Sequence, residues 1–142
     1  MTLSRRELAM LFPALATAQS TAPRKARTLP SKAFRYQDLP VRTHGENRSR
    51  AVLNGLTDSG LPIELHLTEL GPGQQPHPPH KHVHQELLLL QSGLLDATID
   101  GQTTRLTAGS VAYLASNVEH GWRNPGPGRA QYFVLALGRD SG

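Results

Sequence analysis

Four side chains in this 142-residue chain could together hold a metal ion: His80, His82, Glu86 and His120. The first three fall within Pro78-Pro79-His80-Lys81-His82-Val83-His84-Gln85-Glu86, directly ahead of the leucine run Leu87 to Leu90. On a regular β-strand, side chains at i, i+2 and i+6 share a face, so His80, His82 and Glu86 are predicted to point the same way. Two neutral imidazoles and a carboxylate suit one borderline divalent ion such as iron, manganese, zinc, nickel or copper. The alternative reading is a polar, His-rich loop running into a strand. A metal site needs a further ligand from elsewhere, and His120 is the only histidine downstream. An antiparallel neighbour could bring it beside the cluster, giving three imidazoles and a carboxylate with room for water or substrate. The chain has no cysteine, which excludes a disulfide framework and a thiolate zinc site.

The other candidates are weaker. His84 shares the parity of the ligands, so it either lines the same space as a substrate-contacting base or is turned outward by a bulge. His66 alternates with leucines in Ile63-Glu64-Leu65-His66-Leu67, and the default for such a residue is an exposed strand histidine. His77, before a proline, reads as a loop histidine. Leu88 and Leu90 continue the ligand-facing parity as an apolar floor, which puts Leu87 and Leu89 on an opposite face expected to be buried against a second sheet or a partner subunit. Trp122 reads as core near His120, and Tyr113 and Tyr132 as half-buried strand tyrosines.

Short strands must position these groups. Gly 13, Pro 11 and only 5% aromatic residues make a turn-rich composition in a chain long enough for one domain with its own core. Apolar or alternating runs recur at Ala51–Leu53, Leu61–Leu70, Leu87–Leu90, Leu94–Ile99, Thr103–Leu106, Val111–Leu114 and Tyr132–Leu137. Turn signals separate them, and Asp100-Gly101 is a strong two-residue hairpin signal. No persuasive helical period follows residue 20, so the pattern predicts an all-β sandwich or barrel.

The N-terminal third differs. Ser4-Arg5-Arg6, the short apolar stretch Leu8–Phe12 and Ala16-Thr17-Ala18 have the three parts of an export signal. The arginine pair resembles a bacterial twin-arginine signal, cleaved after Ala18, which implies a periplasmic or secreted protein. Residues 19–48 read as a basic arm or linker: Arg24 to Arg50 carries eight Lys/Arg against Asp38 and Glu46 within a net charge of +4. Without interleaved aromatics or a recognition motif, this arm does not point to nucleic acid. The apolar run is too short for stable membrane insertion. Residues 49–142 form the predicted domain.

Over Gly71 to Asn124 the chain resembles the cupin superfamily. Gly71-Pro72-Gly73, His80-Lys81-His82, Glu86 and Gly93 are similar to its first signature, and Gly109, Ala115-Ser116-Asn117, His120 and Asn124 to its second. Ala115 and Asn117 stand where that pattern has Pro and Gly, and the leading glycine lies one position further from His80. Asn tolerates the left-handed conformation that glycine supplies. The resemblance implies a small antiparallel β-barrel of jelly-roll type, with His80, His82, Glu86 and His120 as metal ligands near one end of the lumen.

The function this implies is a metal-dependent enzyme acting on a small molecule, of dioxygenase or isomerase type, with Glu86 and His84 as candidate catalytic groups. The competing reading is a module that binds a metal or small ligand without turnover. A homodimer is expected, its arm before Arg50 reaching the neighbour.

Overall fold

The computed structural model describes residues 28–139. A single 3-10 turn, Tyr36–Asp38, precedes nine antiparallel strands: β1 (Val41–His44), β2 (Asn47–Leu56), β3 (Pro62–Leu70), β4 (Gln85–Ser92), β5 (Leu94–Ile99), β6 (Gln102–Thr107), β7 (Val111–Leu114), β8 (His120–Arg123) and β9 (Ala130–Leu137). They form a six-stranded sheet of order β1-β2-β3-β9-β4-β7 and a three-stranded sheet of order β6-β5-β8. The sheets face each other across a core that includes Leu70, Leu88, Leu90, Leu95, Leu114 and Tyr132. This is the small antiparallel β-barrel of jelly-roll type expected from the sequence.

Each predicted run lies within a strand, apart from Leu61, which precedes β3 by one residue. The hairpin at Asp100-Gly101 takes the positive φ values of 48° and 75° that a type I′ turn requires at both central positions. The region read as an arm has more structure than its composition suggested. β1 pairs with β2 from Val41↔Arg50 to His44↔Asn47, so regular pairing runs across the boundary drawn at residue 48. The Tyr36–Asp38 turn is held to the sheet at the buried Glu69, which accepts a hydrogen bond from Tyr36 Oη at 2.9 Å. The Arg50 guanidinium lies 4.3 Å over the Tyr36 ring and 3.5 Å from the same carboxylate. Such a charge-assisted cluster needs no apolar periodicity, which is why patterning did not reveal it.

Two expectations about faces are corrected. Leu89 pairs with Val111 and Leu87 with Tyr113 on the outer side of the large sheet. There Leu89 is 45% and Tyr113 59% exposed, so no second sheet among the described residues covers this face and Tyr113 is not a half-buried tyrosine. Alternation identifies two faces of a strand but not which of them is covered.

Gly93 joins β4 to β5 at φ 81°, and a Cβ there would stand 2.5 Å from the Arg129 carbonyl oxygen and 2.7 Å from Ala130 Cα. Both obstacles are backbone. Gly93→Ala is therefore expected to destabilise the fold by about 3 kcal/mol, combining left-handed strain with a clash that only a backbone shift relieves. Chemical denaturation checks this, with the slope unchanged and the midpoint lowered.

Candidate metal centre

The histidine cluster is assembled by a loop rather than by a regular strand. His80 forms an isolated antiparallel bridge with His120, donating its N–H to the His120 carbonyl at 3.0 Å and accepting in return at 2.9 Å. The segment 81–84 is irregular, and β4 begins only at Gln85. The prediction of one strand face for His80, His82 and Glu86 is thus corrected: a loop brings His80 and His82 to His120, and Glu86 converges with His82 and His84. The neighbour carrying His120 is antiparallel, as anticipated. Asn117, at φ 61°, donates its N–H to the His82 carbonyl at 2.7 Å and fastens the second loop to the first. Asn can adopt that left-handed turn where most residues cannot.

His80, His82 and His120 each present one ring nitrogen, and the three lie within 4.8 Å of one another. Glu86 stands beside them, its Oε1 3.3 Å from His82 Nε2 and its Oε2 3.7 Å from His120 Nε2, without hydrogen bonding to either. His80 Nδ1, His82 Nε2 and His120 Nε2 are all buried and lack a hydrogen-bond partner. A buried polar atom without a partner costs roughly 1–3 kcal/mol, so three in one place call for an occupant.

The opposite nitrogens specify what kind. His82 Nδ1 faces the His84 carbonyl at 2.8 Å and His120 Nδ1 the Val118 carbonyl at 2.9 Å. A carbonyl only accepts, so both Nδ1 atoms carry the hydrogen and both Nε2 atoms offer a lone pair. Outer hydrogen bonds of this kind set the tautomer and orientation of metal-binding histidines. His80 has its pKa lowered, chiefly by burial and then by repulsion from His77, His120 and His82, with Glu86 pulling the other way. It is therefore held neutral, the form that binds metal. The donor set fits one divalent transition ion.

His84 turns toward the site. Its ring stacks on that of His82 at 3.6 Å, and its Nε2 is 3.1 Å from Glu86 Oε1. His82, His84 and Glu86 form a second convergent group of possible ligands. Trp122 is buried against the His120 ring at a centroid distance of 5.4 Å, as its core reading required. His77 is more than a loop residue: it meets the His80 ring edge-on at 4.1 Å and lines the cavity above the cluster.

That cavity has a volume of about 550 Å³, and Glu86, Trp122, Tyr132 and Val134 form part of its wall. Burial pushes the Tyr132 hydroxyl well above the usual phenol range, so it keeps its proton. Arg42, His44 and Arg48 also line it. A second opening of about 630 Å³ reaches Glu86 and His84 from the other side of Asn54, Glu64 and His66. The sequence predicts an exposed strand histidine at His66. It is instead half-buried and borders both openings, because the polar face of β3 is the one turned inward. The alternation through Glu64, His66 and Thr68 carried the periodicity but not the direction.

The sequence profile of the cupin domain family matches residues 66–136. The chain is 37% identical over 97 residues to dimethylsulfoniopropionate lyase DddW of Ruegeria pomeroyi, a match covering 65% of this chain and 63% of that protein's length. Among solved structures, KdgF from Halomonas sp. superposes with a TM-score of 0.66 at 15% identity, over 78% of this chain and 97% of that one. An RmlC-like cupin from Shewanella frigidimarina does so with a TM-score of 0.64 at 17% identity, over 78% and 95%. At these identities the structural likeness speaks for the fold alone.

Proposed function

Because this chain belongs to the cupin domain family, we propose that it is a metal-dependent enzyme acting on a small molecule, with His80, His82, His120 and Glu86 holding one divalent ion. The observation that carries this reading is the set of three buried, partnerless ring nitrogens at the foot of the cavity. Iron, manganese, zinc, nickel and copper all suit such donors. When bound, the ion would supply positive charge that polarises a carboxylate or carbonyl of the substrate.

The protein's own groups do the rest. His84 acts as a positioning residue, its 3.1 Å contact fixing the Glu86 carboxylate toward the cluster. Trp122, Tyr132 and Val134 wall the cavity and exclude water, and Arg42 and Arg48 attract an anionic group. A cavity of about 550 Å³ accommodates a small ligand.

The reaction best supported is a lyase-type elimination, the type named for the relative at 37% identity. Dimethylsulfoniopropionate bears a carboxylate and, on its β-carbon, a sulfonium leaving group. The arginines suit the first, and the faces of Trp122 and Tyr132 suit the second. An isomerase would share the proton abstraction that elimination requires, whereas a dioxygenase has no observation of its own in its favour. Export through the segment 1–18 and homodimer formation are also part of this reading. The export segment lies outside the described residues, and the open outer face around Leu89, Val111 and Tyr113 supports pairing.

The test is release of dimethyl sulfide from dimethylsulfoniopropionate by protein recovered from its native host, assayed with each of the five metals. Release that requires a metal is the expected result, with Gln19 as the first residue and the mass of a dimer. Stoichiometric metal without turnover of this substrate would replace the lyase by a binding module, and absence of bound metal would remove both.

A further inference from the structure

The elimination proposed above needs a base for the carbon-bound proton, and the groups at the metal cluster are committed elsewhere. The ring nitrogens of His80, His82 and His120 converge on the ion site, and Glu86 is engaged by His84. Tyr132 retains its proton under burial. His44 lines the cavity but has no orienting partner among the described residues.

His66 differs from all of these. It lies on β3, in register with Val134 of β9, whose own partner Leu88 belongs to β4; this places it on the lumen face of the sheet. It borders both openings that reach Glu86. Its Nδ1 is 3.5 Å from Glu64 Oε1, and the other oxygen of that carboxylate accepts a hydrogen bond from Asn54 Nδ2 at 3.3 Å. Asn54 and Glu64 are themselves paired across β2 and β3, so the chain of contacts is built into the sheet.

We propose that His66 is the general base of this enzyme, oriented by Glu64 and, through it, by Asn54. The inference rests on the lyase reading for its substrate but not for its geometry. A carboxylate beside Nδ1 favours the tautomer with hydrogen on that atom, which leaves the lone pair on Nε2. The arrangement is that of a catalytic base held by a third group. In the step, Nε2 takes the proton from the carbon next to the substrate carboxylate. The C–H electron pair becomes the new carbon–carbon double bond, and the sulfur leaves with the C–S bonding pair as neutral dimethyl sulfide. The imidazolium formed is stabilised by Glu64 and returns its proton to water at the cavity mouth, where His66 is half-exposed.

Two measurements test this. In zinc-loaded protein, ring ¹⁵N NMR should show His66 as the Nδ1–H tautomer, and Glu64→Gln should shift it toward Nε2–H. The Nε2–H tautomer in the wild-type protein would overturn the proposal, whatever the substrate proves to be. With dimethylsulfoniopropionate, His66→Gln should keep full metal content while kcat falls by roughly 10²–10⁴-fold, the range for loss of a general base. Glu64→Gln should lower kcat by a smaller factor with KM little changed. A His66→Gln enzyme with wild-type kcat overturns the base assignment. If the wild-type protein itself does not turn this substrate over, the lyase reading falls, and the ring tautomer with its response to Glu64→Gln decides the dyad.

Discussion

Replacing His82 by alanine is expected to abolish stable metal binding. His82 Nε2 is one of the three buried nitrogens without a partner, and its ring is fixed from both sides by the His84 carbonyl at 2.8 Å and the stacked His84 ring at 3.6 Å. Loss of a group that merely orients a ligand costs 10–100-fold in affinity, so loss of a ligand should cost more than about 100-fold. Elemental analysis should find about one ion per wild-type chain and less than about a tenth of that in the variant. Thermal unfolding provides a second readout. A metal at 100 times its dissociation constant stabilises the folded state by about 2.7 kcal/mol, and this increment should vanish in His82→Ala. A variant retaining full metal would remove His82 from the ligand set. Acid should also release the ion, because protonated imidazole cannot bind metal. His80, whose pKa is lowered chiefly by burial, is protonated only at lower pH than an ordinary histidine, so its contribution persists further into the acid range than an ordinary histidine's would.

The largest effect on stability is expected at Asn124, which is fully buried beside the loop that leads to the histidines. Its Nδ2 donates to the carbonyls of Leu70 at 3.1 Å, Gly71 at 3.0 Å and Gly128 at 2.8 Å. Its Oδ1 accepts from the Gly126 N–H at 2.9 Å. Its backbone adds two bonds to the same turn, N–H to the Gln74 carbonyl and carbonyl from the Gly73 N–H, each 2.9 Å. One side chain thus joins the end of β3 to the turn after β8. Asn124→Ala should destabilise the protein by about 4 kcal/mol, since it strands several buried groups and leaves a cavity. Asn124→Asp keeps the volume but aims an oxygen where two or three carbonyls need a donor, so it should be no milder. Denaturation midpoints of the two variants separate these causes: if the Asn124→Asp change were well tolerated, packing rather than hydrogen bonding would be the role of Asn124. Metal affinity should fall in both, because the turn sets the approach to His80.

Much of this was legible in the chain itself. Asp100-Gly101 specifies its hairpin locally, because both positions must take positive φ and few residue pairs do so. Asn117 in the left-handed region follows from the same short-range chemistry of turns, whereas the buried nest of Asn124 is made with Leu70 and Gly71, far away along the chain. The types and spacing of His80, His82 and His120 pointed to a group able to hold an ion, and the fold brings these three ring nitrogens together.

What the sequence alone determined, then, is the strand pattern, the turns and the histidines that the fold draws together. The tertiary structure decided which side of each strand is enclosed. Period-two alternation is symmetric between its faces, and only the opposing sheet breaks that symmetry. Hence His66 borders the cavity, half-buried, while Leu89 and Tyr113 lie outside. It also decided how the ligands meet. The loop over 81–84 has no period to read, and its shape is imposed by backbone bonds from His120 and Asn117, more than thirty residues away along the chain.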